Sequence, residues 1–202
     1  MANSPRPVDS VCVYCGSSDA ADPEFLTAAT RLGELLAAGG VRLVYGGGGV
    51  GLMGATARAA RDAGGRVLGV IPDFLRGRER PVSDVETVVV TTMHERKMMM
   101  FERSDAFVVL PGGIGTLEEI IELLSWRRLD LHEKPTVFYN PRGFWDPLFH
   151  LFDHIIGEKL MPLEFNDCWR AVDKVEDILP AVFEMAKKSA ETPQEAITTS
   201  VA

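Results

Sequence analysis

Ala106-Phe107-Val108-Val109-Leu110-Pro111-Gly112-Gly113-Ile114-Gly115-Thr116-Leu117-Glu118-Glu119 is the stretch that decides the fold of this chain. Its apolar half, residues 106–110, reads as a strand buried on both faces, the habit of parallel sheets. The stretch then runs into Ile120-Ile121-Glu122-Leu123-Leu124 as a helix. Three glycines at a strand-to-helix turn let backbone amides approach a ligand closely. With the positive end of the helix dipole, those amides suit a phosphate. Thr116 is placed to cap the helix and to donate to a phosphate oxygen. Glu118 and Glu119 add carboxylates within one turn of that anion site. The combination points to a substrate with a phosphate at one end and chemistry at the other.

Outward from this stretch, strands and helices alternate. Strands are expected at 11–14, 41–45, 67–71, 86–90, 106–110 and 135–139, and helices at 22–38, 52–63, 93–103, 143–157 and 174–188, with a polar loop at 73–84. This alternation predicts a doubly wound α/β, Rossmann-like fold with a mainly parallel central sheet. Residues 10–188 form one nucleotide-binding domain in this reading, and residues 1–9 and 189–202 are disordered tails. Ligands of such sheets bind at the carboxyl ends of the strands. Three glycine-bearing loops stand there: Gly16-Ser17-Ser18, Gly46 to Gly54 (with Gly47, Gly48 and Met53), and Pro111 to Thr116.

Composition narrows the classes. The chain has 202 residues, 46% hydrophobic and 25% charged, with a net charge of −8. That supports one ordinary globular core and lacks the basic footprint of a nucleic-acid binder. Arg76, Arg78 and Arg80, interrupted by Glu79, read as a solvated loop. No apolar run approaches the ~20 residues of a membrane span, and the first residues lack the apolar centre of a signal peptide. A cytoplasmic location is expected, with no membrane and no nucleic-acid partner. Cys12 and Cys15 form a CxxC, but no second pair completes a zinc site, so no metal and no cofactor are expected.

Gly49-Val50-Gly51-Leu52-Met53-Gly54 formally matches the GxGxxG of dinucleotide enzymes, with Asp73 near the place of the ribose-binding acid. The motif follows the second strand rather than the first, and Pro72 directly precedes the acid. The same glycines also serve a reading in which they only permit tight turns and close helix packing. The GxxxxGK[ST] phosphate loop is absent. Arg96 and Lys97 stand in the first turn of a helix, where positive charge opposes the dipole, so an anion is expected to compensate. His94 reads as a cap-region residue and Met98-Met99-Met100 as packing.

At ~100° per residue, Leu117, Ile120, Ile121 and Leu124 form one face of the helix after the glycine loop. Glu118 and Glu119 diverge, so they cannot flank one bond as paired glycosidase carboxylates do. Glu119 lies beside Leu123 and Trp126, a second apolar side expected to pack on another protomer with Glu119 near the interface.

With these residues assembled, the sequence resembles the LOG family, the cytokinin riboside 5′-monophosphate phosphoribohydrolases of plants, fungi and bacteria. The resemblance spans about residues 10–185. It rests on Cys15-Gly16-Ser17-Ser18, Tyr45-Gly46-Gly47-Gly48, Met93-His94-Glu95-Arg96-Lys97 and a complete PGGxGTxxE at Pro111 to Glu119. It implies hydrolysis of the N-glycosidic bond of an adenosine 5′-monophosphate, N6-prenylated or plain, to free base and ribose 5-phosphate. Arg96 and Glu119 match the catalytic pair, and Gly112, Gly113, Gly115 and Thr116 match the phosphate loop. Ile114, Glu118, Lys97, Gly16, Ser17, Gly47, Gly48 and Met53 complete the substrate-binding set. Glu79 matches an acid that contacts base or ribose. Relatives are dimers or larger, with the site near the interface. Glu119, at a helix start and near Arg96, is expected to stay ionised. The older label of lysine decarboxylase finds no lysine placed for a cofactor Schiff base. A non-catalytic nucleotide sensor and a dinucleotide-dependent enzyme are the alternative readings.

Overall fold

The structure is a computed structural model that describes residues 8–191. In chain order it contains β1 (Ser10–Tyr14), α1 (Pro23–Ala38), β2 (Arg42–Tyr45), α2 (Gly51–Asp62), β3 (Val67–Pro72), α3 (Arg76–Glu79), β4 (Glu86–Val90), α4 (Met93–Glu102), β5 (Ala106–Val109), α5 (Ile114–Arg128), β6 (Thr136–Tyr139), α6 (Asp146–Gly157), β7 (Arg170–Val172) and α7 (Ile178–Glu191). The seven strands form one parallel sheet in the order β4-β3-β2-β1-β5-β6-β7. The winding direction reverses between β1 and β5, which pair with Val13 opposite Val108 and Tyr14 opposite Val109. That switch point is where such sheets hold ligands.

Alternate side chains of each central strand enter opposite cores. Val11, Val13, Leu43, Tyr45, Ala106 and Val108 join α1, α2 and α7 on one side of the sheet. Cys12, Tyr14, Val44, Phe107, Val109 and Phe138 join α4, α5 and α6 on the other. Every residue of β1, β3, β5 and β6 is buried, which explains why these strands read as unbroken apolar runs.

The six expected strands are present, and β7 is a seventh that the sequence reading missed. It is a three-residue edge strand whose Arg170 and Ala171 are exposed, so it carries no apolar signature. The loop at 73–84 contains a 3-10 turn at Asp73–Leu75 and the single turn α3. The helix expected at 143–157 starts at Asp146, and the one expected at 174–188 starts at Ile178 after a 3-10 turn. Of the expected tails, residues 1–7 and 192–202 lie outside the described residues. Residues 8 and 9 and 189–191 are not tail: Val8 is fully buried, and α7 continues to Glu191.

Candidate active site

The three glycine loops meet at the switch point, joined by backbone hydrogen bonds. Gly16 N–H donates to the Pro111 carbonyl at 3.0 Å, while the Gly16 carbonyl accepts from Leu52 N–H at 3.1 Å. Gly112 lies close against Gly16, and a Cβ on Gly112 would fall 2.2 Å from Thr116 Oγ1. Thr116 is therefore not the helix cap expected of it. Gly113 is the N-cap, and Thr116 is two residues inside the helix, buried beneath the loop. The amides of Ile114, Gly115 and Thr116 donate to no protein acceptor among the described residues. Nothing lies within 4 Å of a Cβ built on Gly113 or Gly115. The start of α5 is thus an open array of N–H donors at the positive end of a 15-residue helix.

The Gly46–Gly54 run is a different object. Gly51 N–H donates to Asp19 Oδ1 at 2.9 Å, and Leu52 and Met53 N–H both reach the Gly16 carbonyl. The first turn of α2 is satisfied by protein. A Cβ on Gly49 would stand 2.0 Å from the Arg80 carbonyl oxygen, and one on Gly54 would stand 2.2 Å from the Gly49 carbonyl. Gly47 has φ +79° and packs on Ile71, and Gly48 packs on Glu79 and on the Met53 sulfur, to which it donates at 3.2 Å. These glycines serve close packing, and the GxGxxG match offers a dinucleotide no free helix N-terminus.

Arg96 is 5% exposed. Thr92 and Glu95 form a capping box that fixes the start of α4, and Thr92-x-x-Glu95 was readable in the sequence. Arg96 Nη2 donates to the Gly46 carbonyl at 2.7 Å and Nε to the Val70 carbonyl at 3.2 Å. Gly46 is required here, since its Cβ would lie 2.1 Å from Nη2. The cation thus donates to one carbonyl just past β2 and one inside β3, and Nη1 faces the Met93 sulfur at 4.0 Å. Its nearest carboxylate is Glu79 at 3.8 Å, whose Oε2 is buried without a hydrogen-bond partner among the described residues.

Lys97, expected at the phosphate, donates instead to Glu118 Oε1 at 2.5 Å and Glu122 Oε2 at 2.8 Å. His94 is exposed, and Met100 is buried in the core.

Glu119 is partly buried, and its titration departs from expectation. Burial pushes it up to about 7; Arg96 pulls it down, while Glu118 and Glu79 push it further up. The helix start and Arg96 do not hold it in the usual carboxylate range, because removal from water outweighs them. Next to it, Cys12, Tyr14 and Cys15 are held neutral, first by burial and further by the Glu119 charge. Cys12 and Cys15 are free thiols in different cores.

The faces of α5 also differ from expectation. Leu123 is buried within the chain, and Trp126 packs edge-on against Phe101 with ring centroids 5.2 Å apart. Ile114 is 84% exposed and Ile121 40%. The apolar stripe left open is therefore the Ile114–Ile121 side, not the Leu123–Trp126 side. A cavity of about 380 Å³ lined by Lys134, Trp169 and Arg170 sits at the amino ends of β6 and β7, away from these loops. No helix among the described residues is long and apolar enough to cross a membrane.

Comparison with known proteins shows the family of the chain. A family model described as "Possible lysine decarboxylase" matches residues 53–182. A probable cytokinin riboside 5′-monophosphate phosphoribohydrolase, LOGL9 of Oryza sativa subsp. japonica, is 44% identical over 178 residues, covering 84% of this chain and 78% of that protein. The chain belongs to the LOG family. Cytokinin riboside 5′-monophosphate phosphoribohydrolase LOG of the same plant is 45% identical over 151 residues, 73% of this chain and 62% of its own length. Cytokinin riboside 5′-monophosphate phosphoribohydrolase LOG2 of Arabidopsis thaliana is 43% identical over 149 residues, 73% of this chain and 70% of its own length. Among solved structures, the molybdenum cofactor carrier protein of Chlamydomonas reinhardtii superposes with a TM-score of 0.68 at 21% identity, covering 88% of this chain and 98% of that one. A molybdenum cofactor binding protein of Rippkaea orientalis gives 0.63 at 24%, covering 91% and 97%. At such identities the likeness is one of fold. The family's decarboxylase label and its members' phosphoribohydrolase names describe different chemistry, and the site bears on the choice.

Proposed function

We propose that this chain hydrolyses the N-glycosidic bond of adenosine 5′-monophosphates, including N6-prenylated ones, to free base and ribose 5-phosphate. One observation carries the reading: the open amides of Ile114, Gly115 and Thr116 stand one helical turn from a carboxylate that titrates near neutrality. The 5′-phosphate binds the start of α5, with Gly112 and Gly113 allowing its approach. That places the ribose toward Glu119, Arg96 and Glu79.

Cleavage at C1′ builds positive charge on the ribose. Ionised Glu119 stabilises that charge and takes a proton from the attacking water, whose oxygen bonds to C1′ as the C1′–N bond breaks; the departing base takes up the proton that Glu119 then releases. A carboxylate near 7 can accept and return a proton at neutral pH. Arg96, locked by two backbone carbonyls, presents its remaining N–H groups as fixed donors. The orphan Oε2 of Glu79 accepts from a ribose hydroxyl. Gly16, Ser17, Gly47, Gly48 and Met53 shape the walls. The step uses only these side chains and water, and the reading includes a cytoplasmic location. A second copy of the chain covers the exposed stripe of Met93, Ile114 and Ile121, which borders the phosphate site; sedimentation as a monomer at micromolar concentration would contradict this.

Incubation with AMP, GMP, CMP and N6-prenyl AMP, with base and sugar phosphate quantified, tests the reading. Equal molar release of both products from the adenine nucleotides supports it. A nucleotide that binds and is returned intact in every case identifies a sensor instead.

A further inference from the structure

One ion-pair cluster joins α4 to α5: Lys97 with Glu118 and, one turn along the same helix, Glu122. Arg96 and Glu119, the adjacent residues on the two helices, form no ion pair with each other, and Arg96 acts on Glu119 through its charge. Lys97 is embedded between the helices, its side chain 13% exposed, and its ammonium touches both carboxylates. Burial draws that ammonium down, but the hydrogen bonds it donates to Glu118 and Glu122 outweigh this and hold it above the usual lysine range. The two helices rest on the sheet more than on each other. Phe101 against Trp126 ties their later turns, and Lys97 ties the turns that carry Arg96 and Glu119.

We infer that Lys97 is a positioning residue, a strut that fixes α4 against α5 and so sets Arg96 opposite Glu119, rather than a ligand of the substrate phosphate. One ammonium against two carboxylates leaves a net negative cluster, which would repel a phosphate dianion. To reach a phosphate, Lys97 would have to leave both carboxylates, whose negative charge surrounds its ammonium. The strut also screens Glu119. The charged groups acting on Glu119 are Arg96 and Lys97 from α4, Glu118 beside it on α5, and Glu79 from α3. Lys97 opposes the push from Glu118.

The inference rests on the hydrolase reading, and the experiment separates the two. Lys97→Met, Lys97→Arg, Glu122→Gln and the double variant Lys97→Met/Glu122→Gln are assayed on AMP and on adenosine, with pH profiles, and unfolded in urea. A strut predicts that Lys97→Met lowers kcat by about 10- to 100-fold, the cost of a small misplacement. KM for AMP stays within about threefold, and adenosine turnover falls in parallel. The acid-side inflection of the rate moves to higher pH, because a cation near Glu119 is gone. Lys97→Arg recovers most of the rate. Glu122→Gln lowers kcat by about two- to threefold, and the double variant is no worse than Lys97→Met, since coupled partners are not additive.

A phosphate ligand predicts the opposite pattern. KM for AMP rises about tenfold or more with kcat kept, adenosine turnover is untouched, and Glu122→Gln leaves AMP turnover unchanged or improves it. That pattern overturns the strut. If the wild type releases no base from any nucleotide, the hydrolase reading fails. The strut is then decided in urea, where additive effects of Lys97→Met and Glu122→Gln overturn it and non-additive ones sustain it.

Discussion

Two glycine-rich loops enter helices at the same edge of the same sheet, and they do opposite things. At the start of α2 the amides are taken by Asp19 and by the Gly16 carbonyl, and the glycines are filled by the backbone of Arg80 and of Gly49 itself. At the start of α5 the amides are free, and the space over Gly113 and Gly115 is open. The first loop is scaffold: it lets α3 lie over β2 and lets Arg96 reach the Gly46 carbonyl. The second is left open, and in the proposed reading an anion fills it. A glycine motif after a strand therefore says that something comes close to the backbone, and only the tertiary structure says whether that is ligand or protein.

The sharpest break in this comparison is expected from alanine. Gly49→Ala forces a methyl group to within 2.0 Å of the Arg80 carbonyl oxygen. It should cost about 3 kcal/mol or more, beyond an ordinary overpacking penalty because the neighbour is backbone. The urea midpoint reports it. Unchanged stability would mean that the α2 loop is not packed as described.

Smaller, and opposite in sign, is the effect of Glu119→Gln on stability. Glu119 titrates near 7 in the fold and near 4.5 unfolded, so between those values the folded state holds the extra proton. Stability then falls as pH rises from about 4.5 to 7, and the loss is complete above 7. Glutamine removes it, so Glu119→Gln should be about 2 kcal/mol more stable than the wild type at pH 8. The difference should vanish near pH 4. An equal difference at both pH values would show that the carboxylate is not desolvated.

The smallest effect separates the loops most cleanly. Gly115→Ala meets no atom within 4 Å and lies in a helix, so it should leave stability unchanged or raise it by up to about 1 kcal/mol. It should nonetheless raise KM for AMP by about tenfold, some 1.4 kcal/mol, by crowding the phosphate. A destabilised Gly115→Ala, or one with normal KM, would erase the distinction between scaffold and receptor.

Much of this was legible in the sequence, and the missing parts have a common cause. Buried parallel strands announce themselves as apolar runs, so β1, β2, β3, β5, β6 and the sheet class could be read directly, and the edge strand β4 showed through Val88, Val89 and Val90. The edge strand β7 has no buried face to announce it. The PGGxGTxxE stretch pointed correctly to an open helix start, yet Gly49-Val50-Gly51-Leu52-Met53-Gly54 gave an equally good local signal for a loop that is closed. The difference comes from Asp19 and Gly16, more than 30 residues earlier in the chain. Glu119 was paired with Arg96 through the family resemblance, but its shifted titration comes first from burial, and further from Glu118 and Glu79, which no helical count reveals. The anions expected to compensate Arg96 and Lys97 are carboxylates of the chain itself, Glu79 for Arg96 and Glu118 and Glu122 for Lys97, while the carbonyls of Gly46 and Val70 accept the hydrogen bonds of Arg96. The outward face of α5 was misread because Leu123 and Trp126 look free until α4 and Phe101 are packed beside them.

The central claim is that the α5 loop holds a 5′-phosphate so that Glu119 can act on the glycosidic bond. Base release from N6-prenyl AMP and from the matching nucleoside, by the wild type and by Glu119→Gln, tests it most directly. The account predicts rapid release from the nucleotide, release from the nucleoside slower by at least about 10²-fold, and a loss of about 10²–10⁴-fold on the nucleotide in Glu119→Gln. Equal rates on nucleotide and nucleoside, or near-normal turnover by Glu119→Gln, would contradict it.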